Sequence, residues 1–390
     1  MKQMYLFYTS VIFLLISVSA ARPMTSLFAE ELNASMLEIG VITSMYSVTP
    51  LIIAILAGRF VDRVGEKLPI MIGGIGVATA LSLPFFFSSL NILYITQLLA
   101  GGSQLLALVA IQNGVGRSVS SQNRDRAISI FSICASIGLM LGPLIGGYCV
   151  EHVGFRNSYI IFSLFAYIPF LVSMFIVTSK NKTVEESVQK SIKLSKLLAI
   201  PGMKRSVFVS MMNLASIDLF LVYYPLYGNS IGLTPSEIGW VLMLTSLSSV
   251  LSRLGMPILI KKYGRVNILT IFIVFGGISY GIIPYITLFP FILMAVIVIG
   301  TGLGVAQPLT TIIAFNLAPQ GHTGEVLGLR LAGNRLSQIA IPLVFAGVSG
   351  FTGLGAIFTI QSSGLMLAAY LSIGIKKHNK REEDNKSINT

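Results

Sequence analysis

The residues IGVITSMYSVTPLIIAILAG, positions 39–58, contain no charge, and RFVDRVGEK, positions 59–67, follow at once with five. An apolar run of this length matches what a helix needs to cross about 30 Å of hydrocarbon. The charged stretch marks where the chain returns to water. Outward in both directions the same alternation recurs, predicting spans at 5–29, 39–58, 68–87, 92–116, 127–149, 158–178, 206–228, 238–260, 268–286, 290–314, 325–348 and 353–375. Strands of a membrane barrel would instead alternate polarity over about ten residues. Helices and barrels are the only structures that satisfy the backbone in lipid, so the expected fold class is an all-α membrane protein of twelve transmembrane helices.

Composition agrees: 54% of the residues are hydrophobic and 11% charged, too few charges for a water-facing surface on 390 residues. The net charge of +12 points to a nucleic-acid partner only until the basic residues are placed. On this topology 23 of the 27 Lys and Arg fall on one side, Arg156 alone falls on the other, and Arg22, Arg330 and Arg335 lie within spans. That asymmetry follows the positive-inside rule, puts both termini in the cytoplasm and removes the need for nucleic acid. Cys134 and Cys149 share one span and read as small apolar filler without a disulfide. Lys2 before an apolar run ending in Val18-Ser19-Ala20 also fits a cleaved leader. Reading it as the first span preserves the internal symmetry described next.

A gapless shift of 199 residues pairs Glu38 with Glu237, Gly40 with Gly239, Gly65 with Gly264, Gly101 with Gly300, Pro143 with Pro342 and Gly154 with Gly353. The number of identities is small, so their positions carry the argument: glycines, prolines and helix-starting acids land at equivalent points of equivalent spans. Ser35 to Glu38 and Thr234 to Glu237 both read as capping boxes. The chain therefore divides into six-helix halves at 1–178 and 206–375, a cytoplasmic linker at 179–205 and a charged tail at 376–390. Within the linker, 184–199 is amphipathic enough to lie along the inner membrane surface.

The loop Gly58-Arg-Phe-Val-Asp62-Arg63-Val-Gly65-Glu66-Lys67 resembles the signature between the second and third helices of the major facilitator superfamily. There the glycines permit a tight turn and Asp62 meets a helix N-terminus or a cation across the interface of the halves. Glu66 stands where that family usually has a base, and in the second half Lys261 replaces the acid. The fifth span carries Gly138-Leu-Met-Leu-Gly142-Pro143-Leu-Ile-Gly146-Gly147, which resembles the exporter signature of the drug and metabolite:proton antiporter branch. A generic small-residue packing face is the plainer alternative. Gln97, ahead of Gly101-Gly102, occupies the place of an arginine frequent in the family. The resemblance implies two parallel six-helix repeats with a site between them near the midplane.

Ionisable residues inside a bilayer are costly and are functional candidates by default. Here they are Arg22, Asp218, Arg330 and Arg335, with Asn334 on the face of Arg330, and Gln112 as a further polar candidate for the cavity. Asp218 is the one acid well inside the hydrocarbon and the candidate for a proton switch; Arg22, in the other half, is its candidate partner. A buried structural network, or snorkelling of Arg330 to the inner surface, would account for the same residues. Three arginines against one aspartate favour an anionic or zwitterionic substrate. No nucleotide-binding loop of the Gly, four residues, Gly-Lys type occurs, and His152, His322 and His378 form no metal-spaced set, so no cofactor is expected. The expectation is a non-enzymatic, proton-coupled exporter of a small molecule by alternating access, complete as a monomer, in the cell membrane. Uptake by the same fold, a polytopic membrane enzyme and a non-transporting sensor are the rivals.

Overall fold

The computed structural model describes residues 2–119, 123–177, 194–319 and 322–388, and the secondary structure among them is helical. In chain order the helices are α1 (Lys2–Glu31), α2 (Met36–Val64), α3 (Lys67–Phe86), α4 (Leu90–Arg117), α5 (Arg124–Ser173), the short α6 (Leu194–Ala199), α7 (Met203–Ser230), α8 (Pro235–Tyr263), α9 (Arg265–Ile282), α10 (Phe289–Leu317), α11 (Thr323–Thr352) and α12 (Leu354–Ile388). A 3₁₀ turn at Ile283–Tyr285 closes α9.

Ten of these helices are long and apolar enough to cross a membrane. α5 counts once among them although it carries two expected spans, divided where Gly154 leaves helical geometry at φ 79°, ψ 166°. α11 is the long helix outside the ten; it bears Arg330, Asn334, Arg335 and Gln338 in its middle. The total is consistent with twelve crossings. α12 runs on through the charged residues after 375 to Ile388. Most of the expected surface stretch at 184–199 lies outside the described residues. Its end is α6, whose Leu197 is buried with Met203, Val207, Ala314 and Val326.

Backbone conformation repeats in the 199-residue register. Six of the seven described residues with left-handed φ fall into three pairs: Asn33 with Gly232, Gly65 with Gly264, and Gly154 with Gly353. In the last two pairs φ lies between 79° and 82°, and for Gly65, Gly154 and Gly264 ψ is near the extended range, a region essentially restricted to glycine. Both capping boxes form with the same distances. Ser35 N donates to Glu38 Oε2 and Thr234 N to Glu237 Oε2 at 2.8 Å, while the returning bonds from Glu38 N and Glu237 N to the hydroxyls are 3.3 Å. Ser163 Oγ donates to the Ala78 carbonyl at 2.8 Å, and its equivalent Ser362 Oγ to Gly277 at 2.7 Å. Two sequences that differ at most positions thus build one six-helix plan twice.

The helices divide into two compact units. The first comprises Met1–Val184, Leu221–Met243 and Pro342–Gly347; the second comprises Glu185–Phe220, Leu244–Ile341 and Val348–Thr390. Lipid is as apolar as leucine, so helices associate in it through close packing and interhelical hydrogen bonds. In the first unit α1 lies along α5, with Gly138 facing Ile12 and Leu15, Gly142 facing Ile16 and Ser19, and Gly146 facing Ala20. A Cβ on Gly146 would stand 2.6 Å from the Ala20 carbonyl oxygen, so no larger residue fits without moving a backbone. In the second unit Gly276 of α9 meets Gly302 of α10 in the same manner.

Candidate functional site

The turn between α2 and α3 closes through Gly65, whose N–H donates to Val61 and whose φ of 82° excludes a side chain. It brings Asp62 and Glu66 to one guanidinium: Arg117 at the end of α4 donates to Asp62 Oδ1 at 2.9 Å and to Glu66 Oε1 at 3.3 Å. Asn113 Nδ2 adds a 3.3 Å bond to Asp62. Asp62 is largely exposed, whereas Glu66 is buried, so the acid at this position has a structural use: it supplies a buried counter-charge for Arg117. Asp62 and Arg117 belong to the same unit. Lys67 Nζ donates to the Met174 carbonyl at 2.8 Å and ties this turn to α5. Arg63 is exposed, and a Cβ on Gly58 would meet nothing within 4 Å. Beside the turn lies a cavity of about 560 Å³ lined by Gly58, Asp62, Gln112, Asn113, Arg117 and Arg124. Gln112 is thereby a residue lining this cavity.

Farther along the first unit, the Arg22 guanidinium lies 4.4 Å from the centre of the Tyr46 ring. The Tyr46 hydroxyl in turn bonds to Gln104. Gln97 donates to Thr25 Oγ1 at 3.0 Å, and Thr25 shares a 2.8 Å bond with the hydroxyl of Tyr159, all buried. The place where the family often has an arginine is therefore filled by a neutral, satisfied network.

The fifth-span motif works on two faces. Gly138, Gly142 and Gly146 take α1, while Gly147 faces the Pro235 carbonyl at the start of α8, and a Cβ on it would stand 3.2 Å from the Gly239 Cα. The Pro143 carbonyl lies against Gly239, where an added Cβ would stand 2.7 Å from its oxygen. Two polar contacts extend this seam. Glu151 of α5 accepts from the Ser236 N–H at 2.9 Å, satisfying a donor that the start of α8 leaves open. Asn229 of α7 donates to Glu30 of α1 at 3.1 Å. Residues 30 and 229 differ by the repeat length of 199, so this contact joins a residue to its own equivalent, as happens on an axis of pseudosymmetry. Sequence reasoning named none of Glu30, Glu151 or Tyr46 and took Arg117 only as one of the cytoplasmic bases; the 199-residue offset was the available signal for Glu30.

In the second unit Asp218 of α7 is 6% exposed. On α11, Arg330 and Asn334 are buried, Asn334 accepts from Ser210 Oγ of α7 at 3.1 Å, and Arg335 donates to Gln338 at 2.9 Å. Gln361 of α12 donates to Ser216 Oγ at 2.7 Å, and the Tyr280 hydroxyl to the Ser216 carbonyl at 3.2 Å, tying α7 to α12 and α9. Arg22 belongs to the first unit and Asp218 to the second. Cys134 and Cys149 are both free thiols.

Comparison with known proteins places this geometry. The family profile described as Major Facilitator Superfamily matches residues 7–342 and, again, 206–386. The chain is 24% identical over 380 residues to Multidrug resistance protein 2 of Bacillus subtilis, covering 91% of this chain and 94% of that one. It is also 24% identical over 397 residues to Multidrug resistance protein MdtG of Dickeya zeae, covering 98% and 96%. Among solved structures, nucleoside transporter NupG superposes with a TM-score of 0.79 at 13% identity, covering 96% of this chain and 99% of that one. The repeated six-helix plan, the glycine turn holding Asp62 and the match along nearly the whole chain agree: the protein belongs to the Major Facilitator Superfamily and is a multi-pass membrane transporter of small molecules, not an enzyme.

Proposed function

We propose that this chain exports a small molecule across the cytoplasmic membrane in exchange for protons. Its six-helix halves, 1–178 and 206–375, tilt about a central cavity, with the linker 179–205 and both termini in the cytoplasm. One polypeptide suffices for the path. The observation that carries the export reading is the two-faced packing of Gly138 to Gly147. One face of the motif is fixed to α1, and the other makes a backbone-close contact with α8 that parts when the outer side opens. Similarity to multidrug resistance proteins along more than nine-tenths of the chain supports the same direction. Asp218 carries the coupling proton, and Arg22 of the opposite half answers its charge.

Inverted membrane vesicles from cells lacking their own multidrug exporters provide the test, with ethidium and norfloxacin as probes. An acid-inside gradient drives at least one probe into the lumen, and nigericin, which collapses the gradient, abolishes the accumulation. Flux of both probes only in the opposite direction, or flux indifferent to nigericin, overturns the reading.

A further inference from the structure

On α7, Ser206, Ser210, Asn213 and Ser216 recur at helical spacing, each at most 2% exposed. On α11, Arg330, Asn334 and Ser337 do the same at 6%, 4% and 2%. The two rows are pressed together. Ser210 bonds to Asn334, and a Cβ on Gly333 would meet Met211 at 3.1 Å and Val207 at 3.2 Å. Leu329 packs against the cluster of Met203 and Val207, and farther along Tyr223 donates to the Pro342 carbonyl at 2.7 Å. The helices therefore run side by side in the same direction. Arg330 stands one turn before Asn334 as Ser206 stands one turn before Ser210, which puts these two at one level.

Both are left unsatisfied. Arg330 Nε and Ser206 Oγ are buried with no hydrogen-bond partner, and among the described residues the Arg330 guanidinium makes no ion pair. At 6% exposure it does not snorkel to an open surface. Asp218 lies twelve residues past Ser206, about 18 Å along the helix, too far to neutralise it. A buried cation without a counter-charge is the arrangement proteins avoid unless something else supplies that charge. A guanidinium offers paired donors matched to a planar or tetrahedral oxyanion, and a serine hydroxyl adds a third.

We propose that Arg330 and Ser206 form a binding site for an oxyanion (carboxylate, phosphate or sulfonate) carried by the transported molecule. The proposal rests on the transporter reading and adds the substrate class to it.

The test uses the full chain in phosphatidylcholine nanodiscs, with carboxyfluorescein as the anionic probe and ethidium as the cationic control. Wild type binds carboxyfluorescein saturably and melts at a higher temperature in its presence. Arg330→Met binds it about tenfold more weakly or worse, the loss expected for a charge-assisted hydrogen bond. Arg330→Lys retains part of the affinity, and ethidium binding is unchanged in both. Without probe, Arg330→Met melts higher than wild type, because an uncompensated charge is gone. Lower melting of Arg330→Met with undiminished carboxyfluorescein affinity would mark Arg330 as structural and overturn the proposal, as would wild type that does not bind the probe. Added phosphatidylglycerol separates the sources: if it raises wild-type melting through Arg330 while carboxyfluorescein does not bind, the oxyanion is a lipid headgroup and the cargo assignment is wrong. Binding and melting are read without a gradient, so failure of the vesicle test would leave this result standing and the reverse.

Discussion

Replacing Asp218 with Asn lowers gradient-driven accumulation in inverted vesicles by roughly 5–150-fold, the range of a coupling free energy between two ligand sites. Counterflow of the same probe, which requires no net proton movement, persists. Asn keeps the shape and hydrogen-bonding reach of the side chain but cannot exchange a proton, and at 6% exposure on α7 the site is shielded from bulk water. The partner is tested separately. Arg22→Gln, Asp218→Asn and the double variant form a cycle, and non-additivity in transport rate reports contact between the two positions in at least one state. An unchanged pH dependence in Asp218→Asn removes this residue from the coupling role.

Gly147→Ala and Gly142→Ala give opposite patterns of damage although the positions are five residues apart. On Gly142 the new methyl would run into Ser19 Oγ and stand 2.9 Å from Ala20 N and Ile16 O, all on α1. α1 and α5 belong to one compact unit, and under the proposed mechanism they move together, so the cost of about 1–3 kcal/mol falls on folding and reduces melting temperature and yield. On Gly147 the methyl would strike the Pro235 carbonyl and reach 3.2 Å from Gly239 of α8. There a similar cost falls on one conformation, the one closed at this seam, so the equilibrium shifts by roughly 5–150-fold and flux drops while yield holds. The checks are fluorescence-detected size exclusion for yield and vesicle accumulation for flux. Equal loss of yield in both variants would contradict a moving seam.

These contrasts show what a membrane sequence discloses and what it withholds. The spans were legible because each run of about 20 apolar residues has one use in lipid. The repeat was legible because Gly65, Gly154, Gly264 and Gly353 sit where glycine's positive φ is needed, and the structure adds Asn33 and Gly232 as a further pair with positive φ. The orientation of each helix was not legible: lipid-facing and interior faces are both apolar, so hydrophobic periodicity carries little information. Gln112 and Asn334 look alike in sequence, yet the first is exposed at the cavity beside the Asp62 turn and the second is buried against Ser210. Arg117 read as an ordinary inner-face base, because its link to Asp62 and Glu66 depends on α4 returning beside the turn after α2. Glu30 and Glu151 were passed over for the same reason: each contacts a residue 85 or more positions away.

Under the proposed mechanism the outer ends of α1 and α5 part from those of α7 and α8 during each cycle. In a background with Cys134→Ser and Cys149→Ser, the pair Glu30→Cys and Asn229→Cys places thiols where the native side chains meet at 3.1 Å. Oxidising that pair should stop transport, and reduction should restore it. Transport at the full rate through the bridged protein would show that these ends do not part.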